Sequence, residues 1–297
     1  MSVSALASDA SPGSRLQAYR ILLGQRLRAL LGKPLGLTGL LIVGGLLALV
    51  LLAPWLGLQA PNATALGERL QAPSAQHWFG TDGLGRDLFA RAVWGGRPTL
   101  LIVLLVLLAS APLGTLVGAA AGLFGGIVDR VLMRVTDVFM AFPRLILALA
   151  VAAVLGGGIG GSVLAISLTG WTAYARIARA ESHAWRDAEF IQAARVLGAS
   201  PWRLLWRHLF VLCLPSMLVR ASLDAPGIIL IVSGLGFLGL GLAPPAAEWG
   251  AMVADGRALV FESWWVSTLP GLMIVSAGLG FNLLGDALRD VLDPGAH

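Results

Sequence analysis

The sequence predicts an all-α polytopic membrane protein with six transmembrane helices. Three observations carry this. The 297 residues are 57% hydrophobic and only 12% charged, against roughly 25% charged in an ordinary soluble domain. The mean hydropathy is +0.81, more apolar surface than a water-soluble fold of this length can bury. The apolar residues also fall into discrete runs near 35–58, 99–123, 138–157, 160–178, 209–235 and 265–285, each about 18–25 residues long, as a bilayer-crossing helix requires.

The runs divide the chain into a cytoplasmic N-terminal segment (1–34), a first span (35–58), an extracytoplasmic loop (59–98), a core of five spans (99–286) and a tail (287–297). The first run begins too late, and is too long, for a cleavable signal. In the second, Gly114, Gly118 and Gly122 recur every four residues on one face, a spacing that lets helices approach closely. Only the glycine-rich stretch 156–161 separates the third run from the fourth, which reads as a tight hairpin turn. Within the fifth run Arg220 and Asp224 stand at i, i+4 spacing and can pair. Ionisable groups at such depth are either a structural ion pair or part of a translocation path. Pro226 can bend the same helix.

The basic residues orient the spans. Fifteen of the 21 lie at 15–33, 130–144, 176–207 and 289, on one side. Arg69, Arg86, Arg91, Arg97 and Arg257 lie on the other, with Arg220 inside a span. The positive-inside rule then puts both termini in the cytoplasm. Trp55, Trp78, Trp94, Trp249, Trp264 and Trp265 fall near the outer interface, where amphipathic rings favour the headgroup level.

Several chemistries are excluded or unsupported. The net charge of +5 is spread between apolar runs, so no nucleic-acid-binding domain is indicated. The single cysteine, Cys213, forbids an intrachain disulfide. The four His residues are scattered, without metal-ligand spacing. No catalytic set and no cofactor site is visible. The single lysine, Lys33, is followed by Pro34, whereas a Walker A loop needs Ser or Thr after its lysine. ATP-driven work would have to use a partner's ATPase.

The connection 179–208 is far longer than a minimal turn. It reads as a helix over 187–197 ended by Gly198, then a second helix with Ser200 as N-cap and Pro201 at its first position. Trp202, Leu205, Trp206 and Leu209 would form an apolar face, with Arg203 and Arg207 on another. Ala193 and Ala194 permit close approach by another surface. Two readings follow from these residues: a helix lying on lipid, or a docking element for a protein.

The residues Gln192-Ala193-Ala194-Arg-Val-Leu-Gly198, followed by Leu214-Pro215, resemble the EAA motif of ABC importer permeases, with Gln192 where the motif usually has Glu. The likeness extends over about 70–294. It includes His77-Trp-Phe-Gly-Thr-Asp-Gly-Leu-Gly-Arg-Asp87, Asp129-Arg-Val-Leu-Met-Arg134, Ala141-Phe-Pro143, Gly236-Phe-Leu-Gly-Leu-Gly241, Glu248-Trp-Gly250 and Phe281-Asn-Leu-Leu-Gly-Asp286. This order is similar to the second permease subunit of dipeptide, oligopeptide and nickel importers.

The resemblance implies a type I importer permease fold in a bacterial inner membrane. It implies four partners: a homologous permease, two ATP-binding subunits and an extracytoplasmic solute-binding protein. It assigns ATPase coupling to Gln192, Ala193, Ala194, Gly198, Ser200, Pro201 and Arg203. Asp82, Arg86 and Asp87 either receive the binding protein or form a local network that folds the outer loop. Short peptides are the expected cargo, with nickel or a metal chelate as the alternative. A secondary transporter is the reading from another class.

Overall fold

The computed structural model describes Arg28, Ala29 and residues 31–292. Arg15, Arg20, Arg26 and Asp293 therefore lie outside the described residues, as does most of the predicted N-terminal segment. Nine helices are named here: α1 (Pro34–Leu52), α2 (Leu88–Phe124), α3 (Gly126–Met140), α4 (Arg144–Leu155), α5 (Gly158–Trp185), α6 (Glu189–Val196), α7 (Pro201–Phe237), α8 (Trp249–Gly256) and α9 (Trp265–Leu292). The extended backbone among the described residues forms one isolated bridge, between Thr81 and Asp87.

Each of the six apolar runs is helical, with three differences from the expected spans. First, α2 starts at Leu88 rather than near 99. Asp87 caps it by accepting from Ala90 N–H at 2.7 Å, and the caps, not hydropathy, set where a helix begins. Second, the third run is broken: α3 and α4 meet at 88° across residues 141–143. Pro143 stands before the first residue of α4, where its ring forbids continuation of the preceding helix. Third, α1, α2, α7 and α9 are long and apolar enough to cross a membrane, and the α3–α4 pair makes a fifth if it is one bent span. The glycines, serines and threonines of α5 dilute its hydropathy.

The tightest seam joins α2 to α5. Gly114, Gly118 and Gly122 lie against the backbone carbonyls of Trp171, Ala175 and Arg179, and a Cβ at any of the three would overlap the neighbouring helix. Small residues four apart thus let two backbones touch, and dispersion replaces the hydrophobic drive that lipid cannot supply. Around this seam an apolar core gathers Ile102 and Val106 of α2, Ala148 of α4, Ile166 of α5, Ile228 of α7 and Trp249 of α8. The predicted glycine hairpin is present: Gly156, Gly157 and Gly158 all have positive φ, between 72° and 85°.

Two of the six tryptophans expected at the interface are interior. Trp249 is fully buried and donates to Ala92 O at 2.7 Å. Trp265 is buried and donates to Thr81 O at 3.4 Å. A buried indole keeps its place because the N–H finds a partner. Trp55, Trp78 and Trp264 are exposed.

The helix α1 is peripheral and packs on α9 through Gly39 and Gly280. Its carbonyl end is capped from α2, where Arg97 donates from Nε to Val50 O and from Nη2 to Leu51 O, both at 3.0 Å. A cation there satisfies orphan carbonyls and complements the helix dipole. At the other end Lys33 pairs with Asp290 of α9 at 2.8 Å.

Candidate functional site

The connection between α5 and α7 folds as a corner. After α5, the short helix α6 ends in a Schellman closure: Gly198 N–H donates to Arg195 O at 2.9 Å and Ala199 N–H to Ala194 O at 3.0 Å. That closure needs a left-handed residue, and Gly198 has φ +84°. Ser200 then accepts from Arg203 N–H at 3.3 Å, with Pro201 in the first turn of α7. Gln192 reaches back from α6, donating to Asp187 O at 2.9 Å.

What the corner buries differs from the expected face. Leu204, Leu205 and Leu209 are buried with Ile191 against Ala119 and Leu123 of α2. Trp202 and Trp206 are 65% and 52% exposed. Leu205 and Leu209 are thus buried as expected, and a π-helical turn over Leu205–Leu209, closed by Phe210 N–H on Leu205 O, brings Leu204 onto the face of Leu209. An i→i+5 turn shifts the register by one residue, so a 3.6-residue wheel misassigns Leu204.

The corner turns Ala193, Gly198, Ser200 and Arg203 outward. Val196 and Leu197 are 88% and 86% exposed. The anchor below and the bare apolar tip above make a rigid element with an unsatisfied surface. A second tie lies beside it: Arg179 of α5 holds Asp129 of α3 through two hydrogen bonds. This pairing lowers the Asp129 pKa from its ordinary value.

Inside the bundle, Asp224 is 5% exposed, and its main partner is not Arg220. Arg144, the first residue of α4, donates to it from Nη1 at 2.7 Å and from Nη2 at 3.3 Å. Arg220 stands farther off, at 3.7 Å, and Tyr174 donates from its hydroxyl at 3.4 Å. The pair expected at i, i+4 is thus a cluster drawn from α4, α5 and α7. Sequence reasoning missed Arg144 because it is 80 positions from Asp224. Its one local signal is a cation at the positive end of a helix dipole, where it is disfavoured by ~0.3–1 kcal/mol without a compensating anion.

The polar residues of the loop between α1 and α2 fold inward. Asp82 accepts from the N–H groups of Leu84 and Arg86 at 2.8 and 3.0 Å and from Arg86 Nε at 2.6 Å. Asp87, besides capping α2, contacts His77 Nδ1 at 2.8 Å. Asp82 and Arg86 are 4% and 9% exposed. Their polar groups hold the shape of the loop. Nearby, Glu248 caps α8 by accepting from Gly250 and Ala251 N–H, both at 2.9 Å. Among the described residues, no group of three His, Cys, Asp or Glu is placed to hold a metal ion.

This architecture has known relatives. A probable D,D-dipeptide transport system permease protein of Escherichia coli (strain K12), DdpC, is 43% identical over 265 residues, 89% of each chain. The nickel transport system permease protein NikC of the same strain is 44% identical over 86% of this chain and 92% of its own. A dipeptide transport system permease protein, DppC, of Alkalihalophilus pseudofirmus is 37% identical over 88% of this chain and 86% of its own. Among solved structures, a chain of the MetNI methionine ABC transporter in inward-facing conformations matches with a TM-score of 0.53. It covers 68% of this chain and 96% of that one at 18% identity, a likeness that speaks to the fold alone. The family model described as binding-protein-dependent transport system inner membrane component matches residues 114–297, and this chain is a member of that family.

Proposed function

We propose that this chain is one permease half of an ATP-binding-cassette importer for short peptides, coupled to ATPase subunits through the corner at α6. The observation that carries the reading is that corner: a short helix clamped to α2 from beneath, with Val196 and Leu197 bare above. Gln192, Ala193, Ala194, Gly198, Ser200, Pro201 and Arg203 are its contact and framing residues. Partners in this reading are a homologous permease, two ATP-binding subunits and an extracytoplasmic solute-binding protein. The last would dock on the outer loop that Asp82, Arg86 and Asp87 hold in shape. Both termini are then cytoplasmic, following the basic residues.

Peptide cargo is supported by several relatives named as dipeptide permeases, among them DdpC and DppC. NikC at similar identity keeps nickel as a second reading. The test has two arms. The tagged chain is purified from its own membrane and the copurifying proteins are identified. An ATPase subunit and a second permease are expected, and their absence would favour a secondary transporter. The assembled system, with its own binding protein, is then offered labelled dipeptides and nickel, with and without chelators. Saturable nickel uptake without peptide transport or competition would replace the peptide assignment and leave the permease assignment intact.

A further inference from the structure

The charge around Asp224 does not balance. One carboxylate faces two guanidiniums, Arg144 at 2.7 Å and Arg220 at 3.7 Å, and Tyr174 adds a neutral hydroxyl. Both Arg144 Nε and Arg220 Nε are buried without a hydrogen-bond partner. A shielded donor left without a partner is costly, although the two side chains as a whole remain 28% and 37% exposed. The two arginines also open onto one cavity of about 280 Å³, with Phe139, Phe142, Thr169 and Thr172 in its wall. That is near the lower end of the ~300–1,000 Å³ typical of small-molecule sites. Its position is built: Gly170 of α5 leaves room for Arg144, whose Nη2 would lie 2.8 Å from a Cβ there.

We infer that this cavity is a transient carboxylate-binding site, in which the C-terminal carboxylate of a passing peptide competes with Asp224 for Arg144 and Arg220. The inference rests on the peptide-importer reading and places Arg220 and Asp224 on its translocation path. Planar guanidiniums suit bidentate capture of a carboxylate. The aromatic and threonine wall can receive the rest of a small peptide. Asp224 supplies the return: once the peptide leaves, the resident carboxylate re-forms the pair, so binding stays shallow and release is fast.

The two charges of the cluster then make opposite predictions. The probe is labelled alanyl-alanine and its C-terminal amide, equilibrated with the assembled permease–ATPase complex in nanodiscs without binding protein. Wild type is expected to retain the free acid at least about tenfold better than the amide, the scale of a charge-assisted hydrogen bond. Arg220→Gln should abolish the preference, and Arg220→Lys should restore part of it. Asp224→Asn removes the competitor and should tighten retention of the free acid while slowing uptake. Copurifying ATPase and basal ATP hydrolysis report assembly for every variant.

A merely structural ion pair predicts instead that Asp224→Asn weakens retention in step with assembly. That result, or equal retention of acid and amide by wild type, overturns the site. Uptake of alanyl-alanine by the complete wild-type system separates the two levels. Uptake without any acid preference removes the carboxylate site and keeps the peptide reading; no saturable uptake removes both.

Discussion

At Gly118 a hydrogen in place of a methyl group decides whether α2 and α5 can close. A Cβ there would overlap Ala175 O and Cα, and neither backbone can yield without moving the seam. Gly118→Ala should cost ~1–3 kcal/mol, the range for overpacking, and Gly118→Leu should prevent assembly. Gly278 of α9 is the control, because nothing lies within 4 Å of a Cβ there. Gly278→Ala should be neutral or slightly stabilising, by up to ~1 kcal/mol from the helix preference alone. Thermal unfolding of the purified protein ranks the three variants. If Gly118→Ala unfolds with wild type, the seam is looser than described.

Asp129 gives a pH signature. Arg179 lowers its pKa in the folded protein, so its contribution is complete above the unfolded carboxylate range. It is lost as pH falls through the lowered folded value. The stability gap between wild type and Asp129→Asn should therefore be largest near neutrality and close on acidification. The pair lies at the surface, so the gap should be small and shrink with added salt. A gap that widened in acid would reverse the assignment.

For the corner element, architecture and surface can be tested separately. Ala193 is exposed, so Ala193→Arg should change stability by no more than ~0.5 kcal/mol. It should nevertheless stop uptake, because the added bulk stands where the ATPase is proposed to sit. Gly198→Val should instead damage the element itself, since a left-handed conformation costs an L-residue ~1–2 kcal/mol. Normal uptake by Ala193→Arg, in a complex that retains its ATPase, would remove α6 from the docking surface.

Local signals made this element legible in advance. Gly198 and Ser200-Pro201 announce a closure and a restart through backbone preferences that need no tertiary information, and both are present. The facing of Trp202 and Trp206 was not legible, because the side of α7 that meets α2 is the one carrying Leu204, Leu205 and Leu209, a choice made by tertiary packing. Arg144 was hidden by sequence distance, and Trp249 and Trp265 by partners that only the fold supplies. The early start of α2 was masked by Arg91, Trp94 and Arg97, which read as a loop until Asp87 is seen to cap them.

For the whole molecule, the proposed orientation has a clean chemical assay. Cys213 is the single cysteine and is fully buried, so the native protein supplies a silent background. Gly67 and Leu197 are exposed, the first on the loop that leads into α2 and the second on the corner packed near the last turn of α2. Gly67→Cys should react with an impermeant thiol reagent added to the extracytoplasmic side, and Leu197→Cys only after the membrane is opened. The reverse pattern would invert the topology read from the arginines.

The length of α2 has a mechanical consequence. Its 37 residues span about 55 Å at 1.5 Å per residue, well beyond the ~30 Å hydrocarbon layer. Its first turn is tied into the loop between α1 and α2 by Asp87, and Ala119 and Leu123 near its last turn lie under the corner at α6. One helix, with Pro98 and Pro112 inside it, therefore links the loop before α2 to the corner at α6. Pivoted at mid-length, a tilt of about 5° carries each tip about 2.4 Å in opposite directions. A rotation applied at the α6 end reaches the Asp87 end as displacement, less what is absorbed by bending at Pro98 and Pro112, where each ring removes a helical hydrogen bond.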